Sequence, residues 1–165
     1  MTISPQPAPA PSADDDQMVR FEIANRLFFR LYQASNLMHK TGSRSVGEFG
    51  TTTQQWAVLG ALSRPAARDR GMTVKELIEF LLLSRQNLTA VLNRLQRQGL
   101  VERTRIAEDG RVRRICLTER GIETWARMLT NINRYYETAL DGFTTEETLM
   151  LYRLLDRLKS RLQTL

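Results

Sequence analysis

The chain has 165 residues, 42% of them hydrophobic, enough for one domain with its own core and a dimer interface as well. Its 24 Lys and Arg against 18 Asp and Glu give +6; Asp14, Asp15 and Asp16 sit in a head without basic residues, so the rest carries +9, from 24 bases and 15 acids, and favours an anionic partner: nucleic acid first, a membrane surface or acidic protein second. The single cysteine, Cys116, excludes an intramolecular disulfide and a cysteine-rich zinc site, and a lone histidine, His39, argues against a protein metal site.

The head, residues 1–15, is rich in Pro and Ala and is expected to be disordered. It has neither the cationic nor the apolar region of a secretory signal, and no apolar run reaches the roughly 18 residues of a membrane span, so a soluble, cytoplasmic protein without membrane contact is expected. From about 16 to 39, Phe21, Leu27, Phe28, Leu31, Ala34 and Met38 recur at helical spacing. Gly42, Gly47 and Gly50 are expected to end that helix. A second helix starts behind Thr51 to Thr53 and stops at Pro65, and a basic loop from Ala66 to Gly71 follows.

Thr73 and Glu76 have the spacing of a capping box, which starts a short helix. Ser84 begins another, and Gly99 is placed to close it as a left-handed cap. Two helices separated only by LLLS form a helix-turn-helix pair. LVERTRI and RVRRICL then flank an Asp-Gly turn as a hairpin with a basic side. Thr118 opens a long helix to about Leu140, and a capping box of Thr144 and Glu147 starts a last one carrying Leu151, Leu154, Leu155, Leu158 and Leu162.

The helix from Ser84 to Gln98 carries the chemistry. Leu88, Val91, Leu92 and Leu95 form one apolar stripe. Opposite lie Gln86, Thr89, Ala90, Asn93 and Arg97, flanked by Asn87 and Arg94, and there is no acid from Ser84 to Gln98. A solvated helix face usually mixes Glu with Lys; amides and arginines instead suit base edges of the DNA major groove, where Asn and Gln pair with adenine and Arg with guanine. Ala90 lets the backbone come close, while Ser84, Arg85 and the first free amides suit a phosphate.

Between Ser84 and Arg114 there are eight arginines and three acids. A helix-turn-helix followed by a basic ribbon is a winged helix, with Arg103, Arg105, Arg111 and Arg113 facing DNA. Gly110 shapes the tip, and Asp109 orients Arg111 towards a minor groove. An architectural, nonspecific DNA binder would need the charge but not Gln86, Asn87 and Asn93. A winged helix for protein contacts would expose an apolar or acidic face. No Gly-rich phosphate loop, paired-His motif or nucleophile–His–acid signature is present, so an enzyme is the least expected class.

TTTQQWAVLGAL, MTVKELIEFLLLSRQNLTAVLNRLQRQGLVER and EDGRVRRICLTERG resemble, in order and spacing, the MarR family of winged-helix regulators, over roughly residues 51 to 122. Gly110 departs from the family's usual Asp-Arg-Arg wing, while Asp109 and Arg111 keep their places. The resemblance implies a mainly α fold with a small β-wing. The winged helix-turn-helix, about 51–118, is flanked by dimerisation helices at about 16–40 and 119–163 in one domain, 16–165. It also implies a homodimer on a palindromic double-stranded DNA operator, usually a repressor released by a small effector. Aromatic carboxylates, phenolic acids and aromatic acyl-CoA thioesters are the expected effectors, with no further cofactor, and regulators of aromatic-acid catabolism are the nearest type. Cys116 raises the alternative of an oxidant-sensing repressor. For the effector, Phe28, Tyr32, Asn36 and His39 form a row on the first helix, with Arg26 and Trp56 as further candidates; packing is the plainer role for Phe28 and Trp56, and a favourable helix-end cation for His39.

Overall fold

A computed structural model of the chain describes residues 13–105 and 113–165, with the side chains of residues 13–15 and of Arg105 outside the description. The chain divides into two compact units, Met1–Lys40 and Thr41–Leu165. The first is helix throughout its described part, the bulk of α1 (Ala13–Ser45). That helix starts at Ala13 rather than after residue 15. The rest of the expected head, residues 1–12, lies outside the described residues. Within α1, Asp16 pairs with Arg20 at 3.0 Å and Glu22 with Arg26 at 3.7 Å. Phe21, Ile23, Phe28, Phe29 and Tyr32 are exposed, each with about half or more of its surface in solvent.

In the second unit, α1 does not break at Gly42 but continues to Ser45. The glycine is there for space: a Cβ would meet Thr53 Cγ2 at 2.6 Å and the Trp56 ring at 3.3 Å. A 3-10 turn, Gly47–Phe49, leads to α2 (Thr53–Leu62), whose capping box joins Thr52 and Gln55. The expected loop after Pro65 is in part a single helical turn, α3 (Pro65–Arg68), started by proline at its first position. Then come β1 (Met72–Thr73), α4 (Val74–Leu81), α5 (Arg85–Arg97), β2 (Val101–Arg105), β3 (Arg113–Leu117), α6 (Glu119–Ala139) and α7 (Thr145–Leu162).

Among the described residues the sheet has three antiparallel strands in the order β1-β3-β2, one more than the expected hairpin. Met72 and Thr73 pair with Ile115 and Arg114, so the ribbon is stitched to the residues that start α4. The core gathers Val58, Leu59 and Leu62 of α2, Leu77 of α4, Leu88, Leu92 and Leu95 of α5, Ile115 of β3, and Met128 and Ile132 of α6, all at most 2% exposed. Its α5 members, together with Val91 at 7% exposed, are the stripe read from the sequence. α7 buries none of its residues; Leu151, Tyr152, Leu154, Leu155 and Leu162 face solvent.

Candidate nucleic-acid interface

Three local devices fix α5. Ser84 caps it, its hydroxyl accepting from Asn87 N at 3.2 Å, and helix geometry leaves the Arg85 and Gln86 amides without intrahelical acceptors. The turn before it is short because Leu82 closes α4 in the left-handed region, φ 54°, ψ 36°. At the far end Gly99, φ 69°, takes the same region: Leu100 N donates to Leu95 O and Gly99 N to Gln96 O, both at 3.0 Å, and the buried pair Leu95 and Leu100 seals the stop.

The stripe of Leu88, Val91, Leu92 and Leu95 points inward, which sends Arg85, Gln86, Asn87, Thr89, Ala90, Asn93, Arg94 and Arg97 to solvent. Ser84 is exposed ahead of them. Thr89 donates its hydroxyl proton to Arg85 O at 2.7 Å, leaving its lone pairs for an outside donor. Asn93, Gln96 and Arg97 line a shallow depression of about 310 Å³ on this face.

Along the ribbon, Val101 faces Leu117 and Arg103 faces Ile115, so these four share one side. Val101 and Ile115 are buried, while Arg103 is exposed beyond them. The side that packs on the core near its base therefore continues outward beside α5, where Arg103 Nη2 donates to Asn93 Oδ1 at 3.2 Å. Arg113, exposed, lies on this side too; its register partner is Arg105. Asp109 and Arg111 lie outside the described residues. Arg114 leaves β3 on the opposite side and is bound inward, its Nη1 donating to Gly71 O at 3.1 Å and Glu76 Oε2 at 3.2 Å. Neither Glu76 nor Arg114 was singled out by sequence beyond a helix cap and a charge.

A second missed group is a relay of amides behind α5. Gln55 is 1% exposed; its Oε1 accepts from Thr52 N at 3.0 Å and its Nε2 donates to Gln98 Oε1 at 2.7 Å. Gln98 Nε2 in turn donates to Gly50 O at 2.7 Å. The capping-box spacing of Thr52 and Gln55 was the available signal.

Of the effector candidates, Phe28, Tyr32, Asn36, His39 and Arg26 are exposed on α1 within the first unit, and the Arg26 guanidinium already faces Glu22. Trp56, in the second unit, is half-buried in an aromatic cluster, with ring centroids 5.9 Å from Tyr135 and 5.7 Å from Tyr136. Burial, reinforced by Tyr135, pushes the Tyr136 phenol above its ordinary pKa. Cys116 is half-buried, its Sγ 3.4 Å from Thr104 Oγ1. No helix among the described residues is long and apolar enough to cross a membrane.

Residues 49–112 match the model of the MarR family. Over 153 residues, 90% of this chain and 87% of the relative, the chain is 42% identical to the transcriptional activatory protein BadR of Rhodopseudomonas palustris. It is 32% identical over 105 residues to the homoprotocatechuate degradative operon repressor of Escherichia coli, covering 64% of this chain and 68% of that one. Among solved structures, the PcaV transcriptional regulator of Streptomyces coelicolor, in complex with its natural ligand, superposes with a TM-score of 0.65 at 29% identity, over 82% of this chain and 91% of its own. The α4–α5 pair, the basic ribbon and this likeness along nearly the whole length agree: the chain belongs to the MarR family of winged-helix transcriptional regulators.

Proposed function

We propose that the protein is a cytoplasmic homodimer that binds a palindromic DNA operator and changes its grip when it takes up a small aromatic acid. The carrying observation is the outward face of α5, amide and arginine without an acid, aligned with Arg103 on the ribbon. Gln86, Asn87, Asn93 and Arg97 are assigned to base edges. Ser84, Arg85, Thr89, Arg94, Arg103, Arg105 and Arg113 are assigned to phosphates, Ala90 to close approach, and Asp109 with Arg111 to the wing tip. The dimer is supported by the apolar residues that α1 and α7 each leave in solvent, and two-fold symmetry would set two α5 helices about one DNA turn apart.

An aromatic carboxylate, phenolic acid or aromatic acyl-CoA is proposed as effector, in keeping with the homoprotocatechuate repressor among the relatives. Phe28, Tyr32, Asn36, His39 and Arg26 on α1, and separately Trp56, are its proposed contacts. Repression is the reading for the regulatory sign; activation is the second, favoured by likeness to a relative named as activatory.

The test is a selection of duplexes from random-sequence DNA. Titrations of the enriched duplex at fixed salt follow, with and without aromatic acids and their CoA thioesters. Release by one compound class supports the whole reading, and a reporter behind the enriched sequence gives the sign. Enrichment of no sequence refutes it.

A further inference from the structure

Glu76 stands at the third position of α4, where a capping box asks only that its carboxylate accept from the backbone of Thr73. It does so at 2.6 Å through Oε2. The same oxygen also accepts from Arg114 Nη1 at 3.2 Å, and Oε1 accepts from Arg70 Nη1 at 2.8 Å. Arg70 is folded back over its own turn, its Nε donating to Ala66 O at 2.8 Å. Arg114 Nη1 also donates to Gly71 O, and the backbones of Arg114 and Thr73 are partners in the β1–β3 ladder. One carboxylate thus joins the loop before β1, the start of α4 and the inner strand of the ribbon.

The ribbon is consequently held on both of its sides. On the side facing α5, Arg103 reaches Asn93. On the other, Arg114 reaches Glu76; its side chain is only 21% exposed, whereas the neighbouring Arg113 points outward. Two adjacent arginines of one strand have opposite fates because strand side chains alternate, and because Glu76 lies within reach of Arg114 on its side.

We propose that Glu76 is a positioning residue for DNA recognition: by holding Arg114 it sets the β2–β3 ribbon against the α4–α5 pair and withdraws Arg114 from the arginines that meet phosphate. The inference rests on the DNA-interface reading above. It separates from simple electrostatics by sign. Removing an acid from a basic protein strengthens its grip on any DNA through charge alone. Releasing the ribbon instead weakens the grip on the right sequence, since base readout needs the ribbon and α5 in register.

The test uses the full chain. Glu76→Gln keeps an acceptor for Thr73 N, as glutamine also serves in a capping box, but removes the charge. Arg114→Met removes the other partner and leaves the cap alone. Both are titrated against a duplex enriched by the wild-type protein from random-sequence DNA, and against a scrambled duplex of equal composition, over a salt series. The expected result for Glu76→Gln is a roughly tenfold loss on the enriched duplex, with equal or tighter binding to the scrambled one. Its salt slope on the scrambled duplex steepens by about one, as freed Arg114 finds a phosphate. Arg114→Met shows a similar loss of selectivity without the steeper slope, and the double variant is no worse than the single ones. Thermal melts confirm that each is folded at the assay temperature; should Glu76→Gln not fold, Arg114→Met alone decides. Equal tightening on both duplexes, or unchanged selectivity in a folded Arg114→Met, overturns the proposal while leaving the DNA interface standing. Failure of the wild-type protein to enrich any duplex removes both.

Discussion

Arg103 of β2 and Asn93 of α5 meet at 3.2 Å, guanidinium Nη2 to amide Oδ1, so the ribbon and the helix present one joined surface. The guanidinium has five N–H donors, of which one is engaged among the described residues; the amide presents its oxygen to Arg103 and its NH2 can donate. If both residues also meet DNA, their contributions are coupled. Arg103→Ala and Asn93→Ala are each expected to weaken binding to the enriched duplex by about tenfold. The double variant should fall short of the product of the two by about 0.5–1.5 kcal/mol. Fluorescence anisotropy titrations at one salt concentration measure this, and fully additive losses would show that the two act separately.

The Glu76 cluster predicts a pH dependence of stability. Partial burial by itself raises the carboxyl's pKa, but hydrogen bonds from Arg70 and Thr73, with the charge of Arg114, outweigh it and bring the group from 4.5 to about 2. A folded-state pKa below the unfolded one means that the carboxylate stabilises fully above about 4.5 and that this is lost as pH falls through about 2. At pH 7 the wild-type protein should exceed Glu76→Gln by about 1 kcal/mol, far less than the raw shift implies, because the side chain is 32% exposed and screened by water. Urea denaturation of both proteins from pH 7 to 2 should show the gap closing below pH 4.5. A gap that ignores pH would place its origin in the amide geometry instead.

What was legible in the sequence follows the range of the forces involved. The Leu88, Val91, Leu92, Leu95 stripe, the caps at Thr73, Ser84, Thr118 and Thr144, and the stop at Gly99 depend on residues three or four apart, and each appears in the structure as expected. β1 escaped because Met72 and Thr73 form a strand only through partners about forty residues on, Ile115 and Arg114. Gly42 was misread as a helix stop because its cause, the closeness of Thr53 and Trp56, is tertiary. The same holds for the interface. A helical wheel exposes the α5 face, but which arginine of Arg113 and Arg114 turns outward depends on Glu76 lying in wait on one side.

Leu82 offers a check on the turn between the two helices. It is the only non-glycine residue with positive φ among those described, and a Cβ there costs about 1 kcal/mol or more. Its side chain is 54% exposed, so cutting it back forfeits little burial. Leu82→Gly relieves the backbone while loosening the unfolded chain, and should lie between neutral and about 1 kcal/mol more stable. Leu82→Val, β-branched, should lose about 1–2 kcal/mol. Chemical denaturation compares the two, and a valine variant as stable as the glycine one would rule out the left-handed turn.

Gly121, the last residue of the EDGRVRRICLTERG stretch, has a packing role. In the first turn of α6 its amide donates to Thr118 Oγ1 at 3.0 Å, while Thr118 Oγ1 donates to Gly99 O at 2.6 Å and Thr118 N to Leu100 O at 3.2 Å. These bonds draw α6 onto the end of α5 so closely that a Cβ at 121 would stand 3.0 Å from the Leu100 carbonyl carbon and overlap its oxygen. The obstacle is backbone and cannot swing aside, since Leu100 also closes the α5 cap through Leu95 O. Gly121→Ala should therefore cost about 2–3 kcal/mol, at the upper end of overpacking effects, and weaken DNA binding with it because the end of α5 must shift. Gly99→Ala is the control: its position is left-handed but open, with nothing near a Cβ, and should cost only about 1 kcal/mol. Urea denaturation of the two variants side by side separates crowding from backbone strain, and equal losses would mean that α6 stands further from Leu100 in solution.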